Sequence, residues 1–364
     1  MHRRAICSVF CAMLAALLAG CASGAEPSWS GDEEQSPRPT VLAAGDPVDA
    51  TPPSGYRVPA EYEPVRAVLI TWRDYIDVLG PVAAASAAAG ARVLAVKGPP
   101  SIPGVPPQQY QSLDYSTNSA WVRDYGPVGI NEATHTLGMV DTQYGVRARN
   151  TADDAIPCKL AATLHSPCYG TKLVFDGGNY MTDGRGNAFL SRRIYEWNSG
   201  MRREAVDAAL QTYLGARTIH IFDYATDPSG RPADGTGHID MFAKLVGECK
   251  VIVAETSDEP FRSVTEDAAN YFRDLACGSG RYQVTRVKGW VSNGTWYTYT
   301  NSLIVNRTVI MPFYNAAEQN VAAQRAYESA MPGYRVVGVN SESSIGDGGA
   351  IHCLTREIPS LGSP

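Results

Sequence analysis

The 364-residue chain has no surplus of positive charge: 31 Lys and Arg stand against 37 Asp and Glu, a formal charge of −6. Nucleic-acid binding draws most of its affinity from a basic face, so the balance argues against that class of partner. Phosphate-binding signatures are missing too, with neither a G-x-G-x-x-G after a strand nor a Walker loop. Metal-ligand spacings are absent: no C-x-x-C, no H-E-x-x-H and no EF-hand loop, and the six histidines are scattered. Nothing in the sequence calls for a metal or any other cofactor. The N-terminal apolar run, 5–19, is too short to span a membrane.

That run has another use. Arg3 and Arg4 precede it and Leu18-Ala19-Gly20-Cys21 closes it. The arrangement reads as a signal peptide, and its L-A-G-C end resembles a bacterial lipobox, with Cys21 lipidated. An ordinary signal peptide cut nearby is the alternative. Loss of residues 1–20 removes Arg3 and Arg4, leaving 29 basic against 37 acidic residues. Residues 21–54, rich in Ser, Pro, Gly, Asp and Glu without an apolar period, read as a flexible tether. The expectation is an exported protein, lipid-anchored to the cell envelope, with one catalytic domain over 55–364.

Five cysteines lie beyond the tether, an odd number that in an oxidising compartment suggests pairs plus a free thiol. Cys158 with Cys168 would close a short loop, and Cys249 could pair with Cys277, leaving Cys353. The alternative is five reduced, buried thiols.

Short β-branched runs (67–72, 92–97, 217–222, 251–255, 301–306 and 334–339) alternate with amphipathic stretches (81–89, 203–215, 265–276 and 319–331). This is an α/β pattern of many mixed units. Three Gly-rich turns recur before polar residues: D-G-G-N at 176–179, G-T-G-H at 235–238 and D-G-G-A at 347–350. They suggest repeated βαβ-like modules that each deliver residues to a shared centre.

Chemistry-bearing residues sit in or near these turns. Cys353 follows the glycines of G-D-G-G-A-I-H-C, where backbone can approach a substrate closely, but a working thiol needs a positive neighbour or a base. In G-H-I-D, an extended segment would turn His238 and Asp240 to one face, an imidazole beside a carboxylate suited to proton transfer. Asp124 lies in W-V-R-D-Y-G-P between Trp121 and Tyr125. On a strand it would point away from Arg123, and a carboxylate among aromatics suits a flat cation. Each string also has an inert reading: a buried thiol, a self-satisfied pair, a turn aspartate.

Together, P-A-E-Y-E-P (59–64), W-V-R-D-Y-G-P (121–127), F-D-G-G-N-Y (175–180), G-H-I-D (237–240), Y-T-N-S (299–302) and G-D-G-G-A-I-H-C (346–353) resemble the bacterial peptidylarginine deiminase and agmatine deiminase family. The resemblance spans nearly all of residues 56–359. It implies a five-bladed pseudo-symmetric α/β propeller, the pentein fold, built of ββαβ modules. It further implies a hydrolase that converts a guanidinium to a urea and ammonia without cofactor. Cys353 would be the nucleophile, His238 the general acid and base, and Asp124 and Asp240 the carboxylates gripping the cation. Trp121, Asn179 and Asn301 would contact substrate.

The stretch Y-G-V-R-A-R-N (144–150) resembles that in which secreted peptidylarginine deiminases carry two arginines for a substrate's C-terminal carboxylate; the candidates here are Arg147 and Arg149. Agmatine ends in an ammonium, and holding it about 4 Å from one guanidinium would cost about 4 kcal/mol. The expected substrate is therefore arginine in a peptide or protein, at its C-terminus, giving citrulline. Agmatine or free arginine is the second reading, and a non-catalytic guanidine-binding surface protein the third.

Overall fold

The computed structural model describes residues 50–145 and 150–361. Cys21, Arg147 and Arg149 lie outside the described residues.

One unit of chain is repeated five times. Each repeat is an antiparallel strand pair, a helical crossover, and a third strand parallel to the second. The second repeat shows it plainly. Val128–Asn131 pairs antiparallel with Leu137–Gln143, the chain crosses through Ile156–Thr163, and Cys168–Val174 returns parallel. The same order recurs in Met181–Thr182, Asn187–Ser191, Arg203–Leu214 and Thr218–Phe222. It recurs in Ala243–Gly247, Lys250–Glu255, Phe261–Asp274 and Gln283–Lys288, then in Leu303–Val305, Thr308–Phe313, Ala317–Ala330 and Arg335–Asn340. The remaining repeat is assembled from both ends of the domain. Val65–Thr71 pairs antiparallel with Thr355–Pro359 and parallel with Arg92–Val96, which also pairs with Tyr110–Leu113. This is the ββαβ architecture expected from the motifs.

Packing closes the repeats into a ring. One core cluster joins Leu69 and Leu94 to Leu137 and Met139, and a second joins Val140 to Ala188 and Leu190. A third runs from Phe189 through Val251 and Val253 to Ile304 and Met311. A fourth joins Val305 and Ile310 to Val68 and Ile70, back where the circuit began. Apolar burial, worth about 25 cal/mol per Å2, is thus shared around the whole domain, so no repeat is stable as a separate piece.

Local sequence explains the helices. Val206, Leu210 and Leu214 recur every fourth residue and are buried, and Gly215 ends that helix at φ 62°. The stretch expected at 81–89 forms an earlier helix, Ile76–Ala88, with Pro81 inside it. Buried Val78 and Leu79 extend the apolar face of Val82 and Ala83 backwards, and packing overrides the proline. The strand expected at 301–306 shortens to Leu303–Val305, because Asn301 turns inward to hydrogen bonds described below. Among the described residues, no helix is long and apolar enough to cross a membrane.

Cys158 and Cys168 are disulfide-bonded, as are Cys249 and Cys277, while Cys353 is free and buried. The first bond ties a crossover helix to its own strand across a sequence separation of 10, and the second spans 28. Peptide mapping after denaturation with alkylation, without reductant, should recover both cross-linked pairs and label Cys353. Reduction should lower stability by about 2–4 kcal/mol per bond, read as a fall in Tm. Recovery of 158, 168, 249 and 277 as alkylated thiols would contradict the pairing.

Candidate active site

Short irregular turns between strands carry the polar residues inward. Asp124 stands on a single helical turn, Val122–Tyr125, rather than on a strand, which separates it from Arg123 by rotation about a helix axis. His238 is extended, and Asp240 follows in the 3-10 turn Ile239–Met241, so their shared direction comes from a turn and not from strand alternation. Asp176 precedes the turn Gly177–Asn179, and Cys353 lies in the turn His352–Leu354. All these side chains are buried.

Two glycines show how closely they converge. A Cβ on Gly178 would lie 2.7 Å from His238 Nδ1, 2.9 Å from Asp124 Oδ1 and 3.1 Å from Asp240 Oδ2. A Cβ on Gly349 would lie 2.7 Å from Cys353 Sγ and 2.8 Å from the Trp121 ring. Any side chain at either position would fill the space these groups face. His238 Nδ1 is 3.7 Å from Asp124, its Nε2 is 3.5 Å from Asp176, and Trp197 packs edge-on at 5.6 Å. Cys353 Sγ lies 3.6 Å from Asp240 Oδ2.

Two atoms stand out. His238 Nδ1 and Asp240 Oδ1 are buried with no hydrogen-bond partner among the described residues. A buried polar atom without a partner costs about 1–3 kcal/mol, so a molecule that reached either atom with a matching group would be stabilised. A carboxylate oxygen beside Asp124 and Asp176 calls for a cation with N–H donors, and the flat, forked guanidinium is such a group.

The charges are set for that purpose. Burial pushes Asp124 up to about 7; His238 opposes the shift, and Asp176 and Asp240 add to it. Burial alone would lower His238, but Asp124, Asp176 and Asp240 outweigh it and raise the imidazole to about 9. Burial pushes the Cys353 thiol well above its ordinary range, with Asp240 and Asp124 pushing the same way and the Asn301 amide opposing. Asp240 goes the other way. Burial disfavours its charge, but His352, then His238 and Arg123, hold its pKa below the usual carboxylate value.

Asp124, Asp176 and His238 also offer ligand atoms within 4.8 Å of one another, so this corner could hold a metal ion. Asp141 with Cys158 and Cys168 is the other such group, but both sulfurs are spent in a disulfide.

The structure brings Cys353, His238, Asp124, Asp240 and Trp121 together. Asn179 binds the Ser191 backbone with both ends of its amide. Asn301 donates to Asp240 and, at 3.1 Å, to Cys353 Sγ, and accepts from the Ala350 and Cys353 amides, so its side chain holds the turn that carries Cys353. Asp176, which opens one of the recurring Gly-rich turns, joins the site without having been expected there. So do His352, Glu61 and Arg123, which form a buried charge network beneath Asp240.

Convergence of a thiol, an imidazole and paired acids at the centre of five ββαβ repeats defines a hydrolase of amidine C–N bonds. Residues 57–359 match the family model described as Porphyromonas-type peptidyl-arginine deiminase, and the chain belongs to that family. The putative agmatine deiminase of Enterococcus faecalis is 25% identical over 365 residues, 86% of this chain and 98% of that protein. That of Photobacterium profundum is 25% identical over 84% of this chain and 97% of its own length. Among solved structures, an agmatine deiminase of Enterococcus faecalis superposes with a TM-score of 0.76 at 23% identity, covering 87% of this chain and all of that one. A putative arginine deiminase from Porphyromonas gingivalis gives 0.74 at 21% identity, covering 84% and 98%.

The pKa directions fix a pH profile. Protonated Asp124 cannot pair with a cation, so kcat/KM should fall as pH drops through about 7. Neutral His238 has no proton for a leaving amine, so kcat/KM should fall as pH rises through about 9. The two apparent values belong to the facing pair. A pH profile of ammonia release should be bell-shaped between these limbs; a profile flat from 6 to 10 would contradict the assignment.

Proposed function

We propose that this chain deiminates the guanidinium of arginine in a peptide or protein, preferring a C-terminal arginine, to give citrulline and ammonia. The observation that carries the reaction type is the orphaned pair of His238 Nδ1 and Asp240 Oδ1 around a thiol. In this reading Asp124 and Asp240 fix the plane of the guanidinium through paired N–H bonds. The arriving cation cancels the negative field that keeps Cys353 a thiol, so substrate itself favours the thiolate.

Cys353 Sγ then forms a bond to the central guanidinium carbon. His238 gives its Nδ1 proton to one departing nitrogen, the C–N bond breaks, and ammonia leaves. The thiol proton has passed to solvent as the thiolate formed, so His238 is left neutral. His238 next takes a proton from water as that water attacks the thiouronium carbon. The C–S bond breaks, releasing a urea group and restoring the thiol. Asn301, donating to Cys353 Sγ, steadies the sulfur in both steps.

Peptide arginine is favoured by the approach to the site. The Gly145 amide donates to Asp176 Oδ1 at 2.9 Å, which tethers the strand-end segment beside His238. Arg147 and Arg149 follow it by two and four positions. By the resemblance of Y-G-V-R-A-R-N, two such cations would suit a carboxylate and oppose an ammonium. Met241 follows G-H-I-D where the agmatine-type pattern has Asn. Agmatine is the second reading, favoured by the names of the relatives above. Ammonia release should be compared for a peptide ending in arginine, an internal-arginine peptide, agmatine and arginine. The first should have the highest kcat/KM, and Cys353→Ala should abolish release from all. A wide preference for agmatine would overturn the substrate, and turnover by Cys353→Ala the nucleophile.

We also propose export and a lipid anchor at Cys21, supported by the charged start, apolar run and L-A-G-C of residues 3–21. A fusion carrying residues 1–22 should incorporate labelled palmitate and lose it on Cys21→Ala; no incorporation would sink the anchor.

A further inference from the structure

His352 precedes the nucleophile and is fully buried, yet the reaction above gives it no part. Its ring lies between two carboxylates. Nδ1 is 2.7 Å from Asp240 Oδ2, and Nε2 is 2.9 and 3.0 Å from the two oxygens of Glu61. The ring cannot rotate without breaking both contacts. Its main chain is held as firmly: the His352 amide donates to Asn301 O at 3.2 Å, and the Arg123 Nε–H donates to His352 O at 3.2 Å.

Glu61, in the segment leading to the first strand, is fixed from the other side. Lys244 Nζ, itself fully buried, donates to it, and Arg123 Nη1 lies 3.3 Å away. Arg123 is also bound two-pronged by Glu357, at 3.0 and 2.5 Å. The charged and titratable groups facing the His352–Asp240 pair are therefore Glu61, Arg123, Lys244 and Glu357 below, and His238 and Cys353 above. Asp124 and Asp176 stand beyond His238.

This arrangement decides which oxygen of Asp240 is free. Oδ2 receives His352 and the Asn301 amide, while Oδ1 receives nothing. We propose that His352 is a positioning residue that clamps Asp240 by Oδ2 and aims the bare Oδ1 at the guanidinium. It is not a catalytic residue, since Asp240 stands between it and the reacting carbon. The inference rests on the guanidinium reading of the site.

Two substitutions separate aiming from mere packing. In His352→Asn the amide nitrogen stands near the old Nδ1 position and can still donate to Asp240. In His352→Gln it reaches toward the old Nε2 position and serves Glu61 instead. Both remove the imidazole ring. With the guanidine that the unsubstituted protein turns over best, His352→Gln should raise KM about 10- to 100-fold, the loss expected for a hydrogen bond to a charged group. His352→Asn should raise it markedly less.

Equal losses in the two variants would overturn the proposal, leaving His352 a packing residue; unchanged kinetics would overturn it too. Should neither variant fold, the unsubstituted protein still answers. With 15N-histidine labelling, the His352 Nδ1 resonance should shift when a guanidine binds, because the cation draws on the same carboxylate. An unmoved resonance on saturation would refute the clamp. Failure of the parent reading looks different: no ammonia from any guanidine and no guanidine binding by the unsubstituted protein.

Discussion

The site depends on keeping Asp240 charged in a place from which water is shut out. An isolated carboxylate in that setting would take up a proton, since desolvation alone costs several kcal/mol. Here the charge is sustained by His352 at 2.7 Å, by His238 and by Arg123, while Glu61 and Glu357 hold His352 and Arg123 in place and Lys244 pairs with Glu61. The network is nearly self-neutralising, so its members support Asp240 without attracting substrate themselves. Removing any one would leave a partner buried and uncompensated, which is why these residues come from opposite ends of the domain and cannot drift apart.

Ring closure supplies the rigidity that such a network needs. Glu61 lies just before the first strand and Glu357 on the last, Val65–Thr71 and Thr355–Pro359, which pair with one another. Arg123 binds both acids. The seam where the ring closes is therefore also the base of the active site. Disturbance of that strand pair should reach catalysis through electrostatics before it reaches the core. Meanwhile Asp124, left largely to His238 and a backbone amide, tolerates a pKa near 7 and supplies a charge that substrate itself can stabilise.

Most of the fold's elements could be read from local pattern, and so could the four side chains that the proposed reaction uses. Strands with β-branched runs and helices such as Arg203–Leu214 announce themselves because their signals are local. Cys353, His238, Asp124 and Asp240 were visible because Gly-rich turns mark the places where backbone bends inward. What could not be read were contacts made at a distance. The bond between His352 and Glu61 joins residues 291 positions apart, and no local spacing encodes it. Asp124 was mistaken for a strand residue because a single helical turn has no period to detect. Asn179 and Asn301 point inward as expected, but the backbone amides and carbonyls of the wall claim their side chains first.

The account's central claim is that one planar cation is held by Asp124 and Asp240 while Cys353 bonds to its central carbon. Acid quenching of the unsubstituted protein during turnover, followed by intact-mass and peptide mass spectrometry, reads that bond. The account predicts an amidine adduct that retains the substrate's chain, confined to Cys353 and lost when Asp240 becomes Asn. Ammonia release at an undiminished rate with no adduct on Cys353, or an adduct formed equally well without Asp240, would contradict it.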